Sequence, residues 1–100
     1  MCLKVVHNLT KLGRREFFLL MVSDKNIESL IDEVKSAVRP PPDYGINIYP
    51  GRYSVDVVVE ISGPDIEGIR RIDLATSSKV LEICEKRGIE CHSMEPLEII

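Results

Sequence analysis

The stretch GINIYPGRYSVDVVVEISGPDIEGIR, residues 45–70, decides how this chain folds. Ile46 to Tyr49 predicts a short strand and Tyr53 to Ile61 a longer one, joined by a tight turn at Pro50-Gly51. Gly63-Pro64 stops the second strand. From Asp65 the apolar period changes from two residues to that of a helix. The segment therefore predicts a strand hairpin followed by a helix.

Apolar and polar residues alternate along the longer strand, which is typical of a sheet that packs against a core on one face only. The positions predicted to face the core are Tyr53, Val55, Val57, Val59 and Ile61. Ser54, Asp56 and Glu60 face the other way, with Val58 as the one apolar exception, so that face is predicted to be mostly wet. At the turn, proline suits the first central position of a type II turn, and glycine suits the second, where φ is positive.

The residues before this stretch predict two strands and a helix. Residues 2–9 form a candidate first strand, and residues 11–14 are a turn candidate. The continuous apolar run Glu16 to Val22 predicts a central strand buried on both faces. Ser23 and Asp24 can cap a helix. Its apolar residues recur at helical spacing: Ile27, Leu30, Ile31, Val34 and Val38. Pro40-Pro41-Pro42 cannot continue that helix.

The residues after this stretch complete the pattern. Apolar positions between Ile66 and Cys84 cluster on one side of a helical wheel, which predicts a helix to Arg87 that ends at Gly88. A break at Thr76-Ser77-Ser78, or a short strand at Ile69 to Leu74, is the alternative. Ile89 to Met94 is predicted to be the last strand.

The predicted order is β-β-α-β-β-α-β within a single α+β domain of residues 1–100. Without the first strand this is the β-α-β-β-α-β order of ferredoxin-like two-layer sandwiches. The fold is therefore predicted to be ferredoxin-like with an additional N-terminal strand, and a duplicated ββα unit is the alternative. A hairpin would place the first strand beside Glu16 to Val22, where a ferredoxin-like sheet puts the last strand.

Composition narrows the classes of function. A net charge of −3 gives no basic footprint for nucleic acid, and no apolar run approaches the ~18 residues that span a bilayer. The first 15 residues lack the apolar core of a signal peptide. Three cysteines in such a chain are typical of reduced thiols, which favours a cytoplasmic location.

No motif for catalysis, metal or cofactor stands out, so we predict no catalytic residue, no metal site and no cofactor. The six glycines form neither a phosphate loop nor a nucleophile elbow. Cys84, Cys91 and His92 lack the spacing of a zinc-chelating pair. Cys91 and His92 are adjacent on a predicted strand, so they leave opposite faces and cannot form a nucleophile pair.

The most suggestive polar residues surround the two Gly-Arg turns. We predict that they bind a small anionic ligand, because guanidinium groups hold carboxylates and phosphates well. The candidate ligand-binding residues are Arg14, Arg15, Tyr49, Arg52 and Tyr53. The alternative is that the arginines are solvated turn residues and the tyrosines pack at the rim of the sheet.

The apolar residues of the central strand predict self-association. Phe17, Leu19 and Met21 alternate with a second apolar set, Phe18, Leu20 and Val22. Helices on one face of the sheet leave one set exposed, and such a patch usually marks an interface. The tail, with Leu97, Ile99 and Ile100, adds apolar surface. A homodimer or higher homo-oligomer would cover both, whereas a first strand or tail that folds back is the alternative.

Together these features predict a small non-enzymatic regulatory or interaction module that self-associates and binds a small anionic ligand. A small enzyme with its active site between subunits is one alternative. A nucleic-acid-associated protein is the other, although the acidic strand face disfavours a phosphate backbone.

Overall fold

The computed structural model describes residues 10–20, 22–52, 56–93 and 97–100. Within these ranges the chain forms five strands and two helices: β1 (Lys11–Leu20), α1 (Asp24–Ala37), β2 (Gly45–Pro50), β3 (Asp56–Gly63), α2 (Ile66–Lys86), β4 (Glu90–Ser93) and β5 (Glu98–Ile99). The candidate first strand at residues 2–9 lies outside the described residues. No helix in the described ranges has the length and apolar character needed to cross a bilayer.

The strands form one antiparallel sheet in the order β2-β3-β1-β4, and β5 also pairs with β1. This is the sheet of a ferredoxin-like two-layer fold, as predicted. Both β4 and β5 lie along the edge of β1 that faces away from β3. That edge is where a hairpin partner of β1 would have to lie.

The helices begin and end where the sequence predicts. The Ser23 hydroxyl accepts the Asn26 N–H at 3.3 Å and caps α1. Asp65 caps α2 by accepting the Gly68 N–H at 3.3 Å, and Gly88 follows its C-terminus with φ of +70°. α2 is continuous, so a break or a strand at Ile69 to Leu74 is wrong.

The core lies between the helices and one face of the sheet. α1 packs against β2 and α2, while α2 covers β1, β3 and β4. The prediction that Val57, Val59 and Ile61 face the core is confirmed. The side chains of Phe17 and Leu19 of β1 point towards the helices, into the same core, and are fully buried. The hydrophobic effect therefore orients every strand by its alternate side chains.

On the other face of the sheet, two sequence expectations need correction. β1 is central but not buried on both faces, because Phe18 is half-buried and Leu20 is 45% exposed. The second face of β3 is not mostly wet, since Asp56 and Val58 are buried. Val58 pairs with Glu16 on one side and with Tyr49 on the other, and those two longer side chains flank it.

The turn expected at residues 11–14 is wrong, because β1 already begins at Lys11. Lys11 pairs with Gly63 of β3, and Gly13 pairs with Ile99 of β5. Gly13 is needed for a close approach to α2: a Cβ at this position would lie 2.6 Å from Cγ2 of Ile69. Glycine here permits helix–sheet packing rather than a turn.

The Pro50-Gly51 turn is also of another kind than expected. Among the described residues, the one glycine with positive φ is Gly88, so Gly51 is not the positive-φ position of a type II turn. Its N–H donates to the Asp56 carbonyl at 2.8 Å, which extends the ladder between β2 and β3 by one residue. A Cβ at Gly51 would overlap the carboxylate of Asp56. The glycine is therefore required by space and not by backbone conformation.

The C-terminal tail folds back onto its own chain. β5 pairs with β1, the Ile100 N–H donates to the Leu12 carbonyl at 2.8 Å, and Leu97 and Ile99 pack against the core. Ile100 alone stays largely exposed, at 68%. The fold-back alternative therefore holds for the tail, and most of the tail's apolar surface needs no second chain.

Candidate functional site

Two of the five predicted ligand-binding residues, Arg14 and Tyr49, belong to the open face, which is the face of the sheet that points away from the helices. The register places Arg14, Glu16, Phe18 and Leu20 of β1 on this face. Tyr49 and Asn47 of β2 lie on it, as do Asp56, Val58 and Glu60 of β3, Glu90 and His92 of β4, and Glu98 of β5.

Arg14 and Tyr49 do come together there. Their side chains are hydrogen-bonded, and this contact raises the pKa of Arg14. The Tyr49 hydroxyl in turn donates to Oε2 of Glu60 at 2.8 Å. Partial burial, and then this bond to Glu60, raises the pKa of Tyr49. Arg14, Tyr49 and Glu60 therefore form one network of contacts across β1, β2 and β3.

Arg15 does not join this group, because it points to the opposite face. Its Nε and Nη2 each donate to the Asp73 carboxylate at 2.8 Å, and Nη1 donates to the Ser93 hydroxyl at 2.8 Å. The Arg15 and Asp73 side chains are only 10% and 9% exposed. The expectation that Arg14 and Arg15 bind the same ligand is corrected by strand alternation, which sends neighbouring side chains to opposite faces of the sheet.

Arg52 and Tyr53 follow β2 in the loop to β3. Arg52 is exposed, and its positive charge lies near enough to Glu16 to favour the ionised form of that carboxyl. Tyr53 lies outside the described residues. Of the five predicted ligand-binding residues, the structure thus brings Arg14 and Tyr49 into contact and places Arg52 near the same face.

A pair of carboxyl groups sits beside this network. Glu16 is hydrogen-bonded to Asp56, and this contact, followed by burial, raises the pKa of Glu16 against the opposing charges of Arg14 and Arg52. One proton shared between two carboxyl oxygens relieves their repulsion. With Glu60, Glu90 and Glu98 on the same face, the open face is acidic. An anion at Arg14 would meet these carboxylates.

Replacing Glu16 with glutamine should stabilise the protein more at neutral pH than in mild acid. Folding raises the pKa of Glu16, so the protonated carboxyl stabilises the folded state. This contribution is complete below 4.5, the pKa in the unfolded chain, and is lost as the pH rises past the pKa in the folded protein. Glutamine, which stays neutral, does not lose it. Urea unfolding at about pH 5 and about pH 8 measures this difference. Glu28→Gln is the control, because Glu28 is exposed on α1. It should change the free energy of unfolding by the same small amount at both pH values. An equal Glu16→Gln effect at both pH values would contradict the shared proton.

The described cysteines belong to the core. Cys84 of α2 is 1% exposed, and Cys91 of β4 packs beside it on the helix-facing side. Their thiols are hydrogen-bonded, which lowers the pKa of Cys84 and raises that of Cys91. His92 leaves the opposite face, as expected, and its ring lies 3.1 Å from Glu90. That the three cysteines are reduced and bind no metal stays a prediction, and Cys2 lies outside the described residues.

The outer edge of β2 is a second candidate site. Within the described ranges, β3 is the one strand that pairs with β2. The Gly51-to-Asp56 hydrogen bond fixes the phase of that ladder, in which hydrogen-bonded pairs alternate with non-bonded pairs. Gly45, Asn47 and Tyr49 therefore bond to β3, whereas the N–H and C=O groups of Ile46 and Ile48 point outward. The backbone of Pro50 also points away from β3, so its missing N–H costs the ladder no hydrogen bond.

The comparisons with known proteins report similarity in structure only. No protein-family model and no curated protein matches the sequence. The intact alpha subunit of aIF2 from Pyrococcus abyssi matches with a TM-score of 0.74 and 13% identity over 90% of this chain and 35% of that one. A C-terminal segment of the same subunit matches with a TM-score of 0.67 and 15% identity, over 91% of this chain and 53% of that one.

A second kind of protein has a similar domain. A putative amidohydrolase/peptidase from Burkholderia cenocepacia matches with a TM-score of 0.62 and 14% identity, over 91% of this chain and 29% of that one. This chain therefore spans about a third of the intact proteins it resembles and about half of the aIF2 segment. At such identities the matches show the ferredoxin-like fold alone, and unrelated proteins share such a fold.

Proposed function

We propose that this chain is a non-enzymatic interaction domain that self-associates by pairing the outer edge of β2 with the same edge of a second copy. The observation that carries the proposal is the row of outward backbone groups at Ile46 and Ile48. Among the described strands none pairs with this edge, and an unpaired strand edge is a ready template for another strand. Chain addition at such an edge is a common mode of protein recognition.

A twofold axis at Asn47 satisfies all of these groups at once. Ile46 would then exchange both hydrogen bonds with Ile48 of the second copy, and Ile48 with its Ile46. Four backbone hydrogen bonds form in this register, with Asn47 facing Asn47 of the second copy as a non-bonded pair. Twofold pairing of identical surfaces is the commonest arrangement of homodimers. The exposed Asn47 side chain carries no charge that opposes it.

Sheet-against-sheet packing is the weaker arrangement. Phe18 and Leu20 supply some apolar surface to the open face, but Glu60, Glu90 and Glu98 surround it. Two such faces would bring like charges together and remove them from water, which costs free energy. The same acidic character disfavours nucleic acid on the open face. Edge pairing leaves these carboxylates solvated, so we favour the edge.

We also propose that the chain is not an enzyme and that it resides in the cytoplasm. That the chain catalyses no reaction is proposed because the members of the polar clusters described above, the Arg14 network, the Arg15–Asp73 pair and the Glu16–Asp56 pair, interact with one another. An active site shared between subunits is the alternative, and hydrolysis of a phosphate or acyl ester by the dimer would favour it. Residence in the cytoplasm is proposed from the cysteine content.

Light scattering at micromolar concentration tests the proposal. We expect a mass of about twice the 11.3 kDa of one chain. Asn47→Asp should shift the protein towards monomer, because it sets two like charges directly opposite each other in the paired edge. Asn47→Ser, the matched neutral control, should stay dimeric. A wild-type protein that remains a monomer, or an Asn47→Asp variant as dimeric as Asn47→Ser, would refute edge pairing.

A further inference from the structure

A cavity of about 400 Å³ opens between the end of α1, the start of β2 and the middle of α2. We call it the α1–α2 groove. Its floor is apolar and includes Val38, Ile46 and Ile72, all of which pack against the hydrophobic core. Its volume lies in the lower part of the range of roughly 300–1,000 Å³ that small-molecule sites occupy. A floor of this kind suits a ligand with an apolar body.

The polar lining of the groove is dominated by positive charge. Three cations, Arg39, Arg71 and Lys79, line it, and no carboxylate is among its lining residues. The three come from two separate parts of the chain, since Arg39 lies in the segment after α1 and the other two lie on α2. Convergent positive charge beside apolar surface indicates a ligand that is anionic at one end.

These cations are available to a ligand. Arg39 makes no hydrogen bond or ion pair with the described residues in the structure. Arg71 reaches Glu67 at 3.6 Å, where both side chains are more than three-quarters exposed, and Lys79 reaches Glu82 at 3.3 Å. Exposed pairs within one helix contribute little to stability, so a bound anion can replace them at small cost.

We infer that the α1–α2 groove binds a small molecule that joins an apolar body to a single anionic group, a carboxylate or a phosphate. The apolar body lies on Val38, Ile46 and Ile72, and the anionic group lies between Arg39, Arg71 and Lys79. The inference does not depend on self-association. It assigns the anion to a place other than Arg14 and Tyr49, where surrounding carboxylates oppose it.

Calorimetric titration with octanoate tests this site, because octanoate has an apolar chain and one carboxylate. We expect saturable binding with a dissociation constant below roughly 1 mM, and no saturable binding of octylammonium, which has the same chain and the opposite charge. Arg39→Gln combined with Arg71→Gln should weaken octanoate binding by about tenfold or more, since each removes a charge-assisted hydrogen bond. Arg70→Gln is the matched control, because Arg70 is exposed on α2 outside the groove.

A filling variant tests the cavity itself. Ala75 lines the groove and is exposed, so Ala75→Leu should fold normally and block the apolar floor. Thermal unfolding checks that each variant is folded. The titrations are repeated with Asn47→Asp, the variant designed to be monomeric, so that loss of the dimer is not mistaken for loss of the binding site. The inference is overturned if octanoate does not bind saturably, or if octylammonium binds equally well. It is also overturned if Ala75→Leu, or the double variant of Arg39 and Arg71, keeps full affinity for octanoate.

Discussion

Replacing Asp73 with alanine is expected to lower the free energy of unfolding by about 3–5 kcal/mol, the largest effect of any single polar substitution in the described chain. Asp73 accepts two hydrogen bonds of 2.8 Å from Arg15, and both side chains are about nine-tenths buried. The variant removes the carboxylate that compensates the buried guanidinium, while the neutral Ser93 hydroxyl still accepts a hydrogen bond from it. Removing one member of a buried ion pair costs more than the pair itself contributes, because the other charge stays desolvated.

Urea unfolding measures the Asp73→Ala effect, and two further variants sharpen it. Glu67→Ala removes an exposed carboxylate that lies 3.6 Å from Arg71 on the same helix, and it should cost less than about 0.5 kcal/mol. Arg15→Met combined with Asp73→Leu should recover most of the lost stability, since apolar replacements leave no buried charge. An Asp73→Ala loss below about 1 kcal/mol would show that water reaches Arg15 in solution.

The second large effect is expected at Gly51. Gly51→Ala should lower the free energy of unfolding by roughly 1–3 kcal/mol, because the added Cβ overlaps the carboxylate of Asp56, which is fully buried and cannot move aside freely. Gly45→Ala is the matched control on the same strand. There the nearest atom to an added Cβ is the Ser62 hydroxyl, at 2.9 Å.

Thermal or urea unfolding separates the two glycines. The Ser62 hydroxyl can rotate away, so Gly45→Ala should cost clearly less than Gly51→Ala. Gly51→Ala in an Asp56→Ala background should lose most of its penalty, because the overlapping group is gone. A Gly51 penalty that persists in that background would point back to backbone conformation as the reason for the glycine.

Local patterns in the sequence were enough to predict the helices and most strands. The spacing of Ile27, Leu30 and Val34 predicts α1, and the serine before it marks its first residue. The order of elements then leads to the ferredoxin-like sheet. The start of β1 was missed because Gly13-Arg14 resembles a turn when read locally. Only its pairing with β3 and β5, from distant parts of the chain, makes it a strand.

The polar groups were harder to predict, because their partners are distant in sequence. Arg15 and Asp73 lie 58 residues apart, and neither residue alone indicates a buried pair. One signal was present: Asp73 falls four residues after Ile69 and seven before Val80, on the apolar side of α2. A carboxylate in that position requires a buried cation as partner. Asp73 therefore needs a cation on the helix-facing side of the sheet. Strand alternation places Arg15 on that side and Arg14 on the open face.

Amide hydrogen exchange at Ile46 and Ile48 tests edge pairing most directly, because these N–H groups point away from β3. At concentrations where the dimer forms, both amides should exchange slowly, and they should become fast on dilution or in Asn47→Asp. The amides of Asn47 and Tyr49, which bond to β3, should stay slow throughout and serve as internal controls. Fast exchange at Ile46 and Ile48 in a sample whose mass is that of a dimer would contradict the account and place the interface elsewhere.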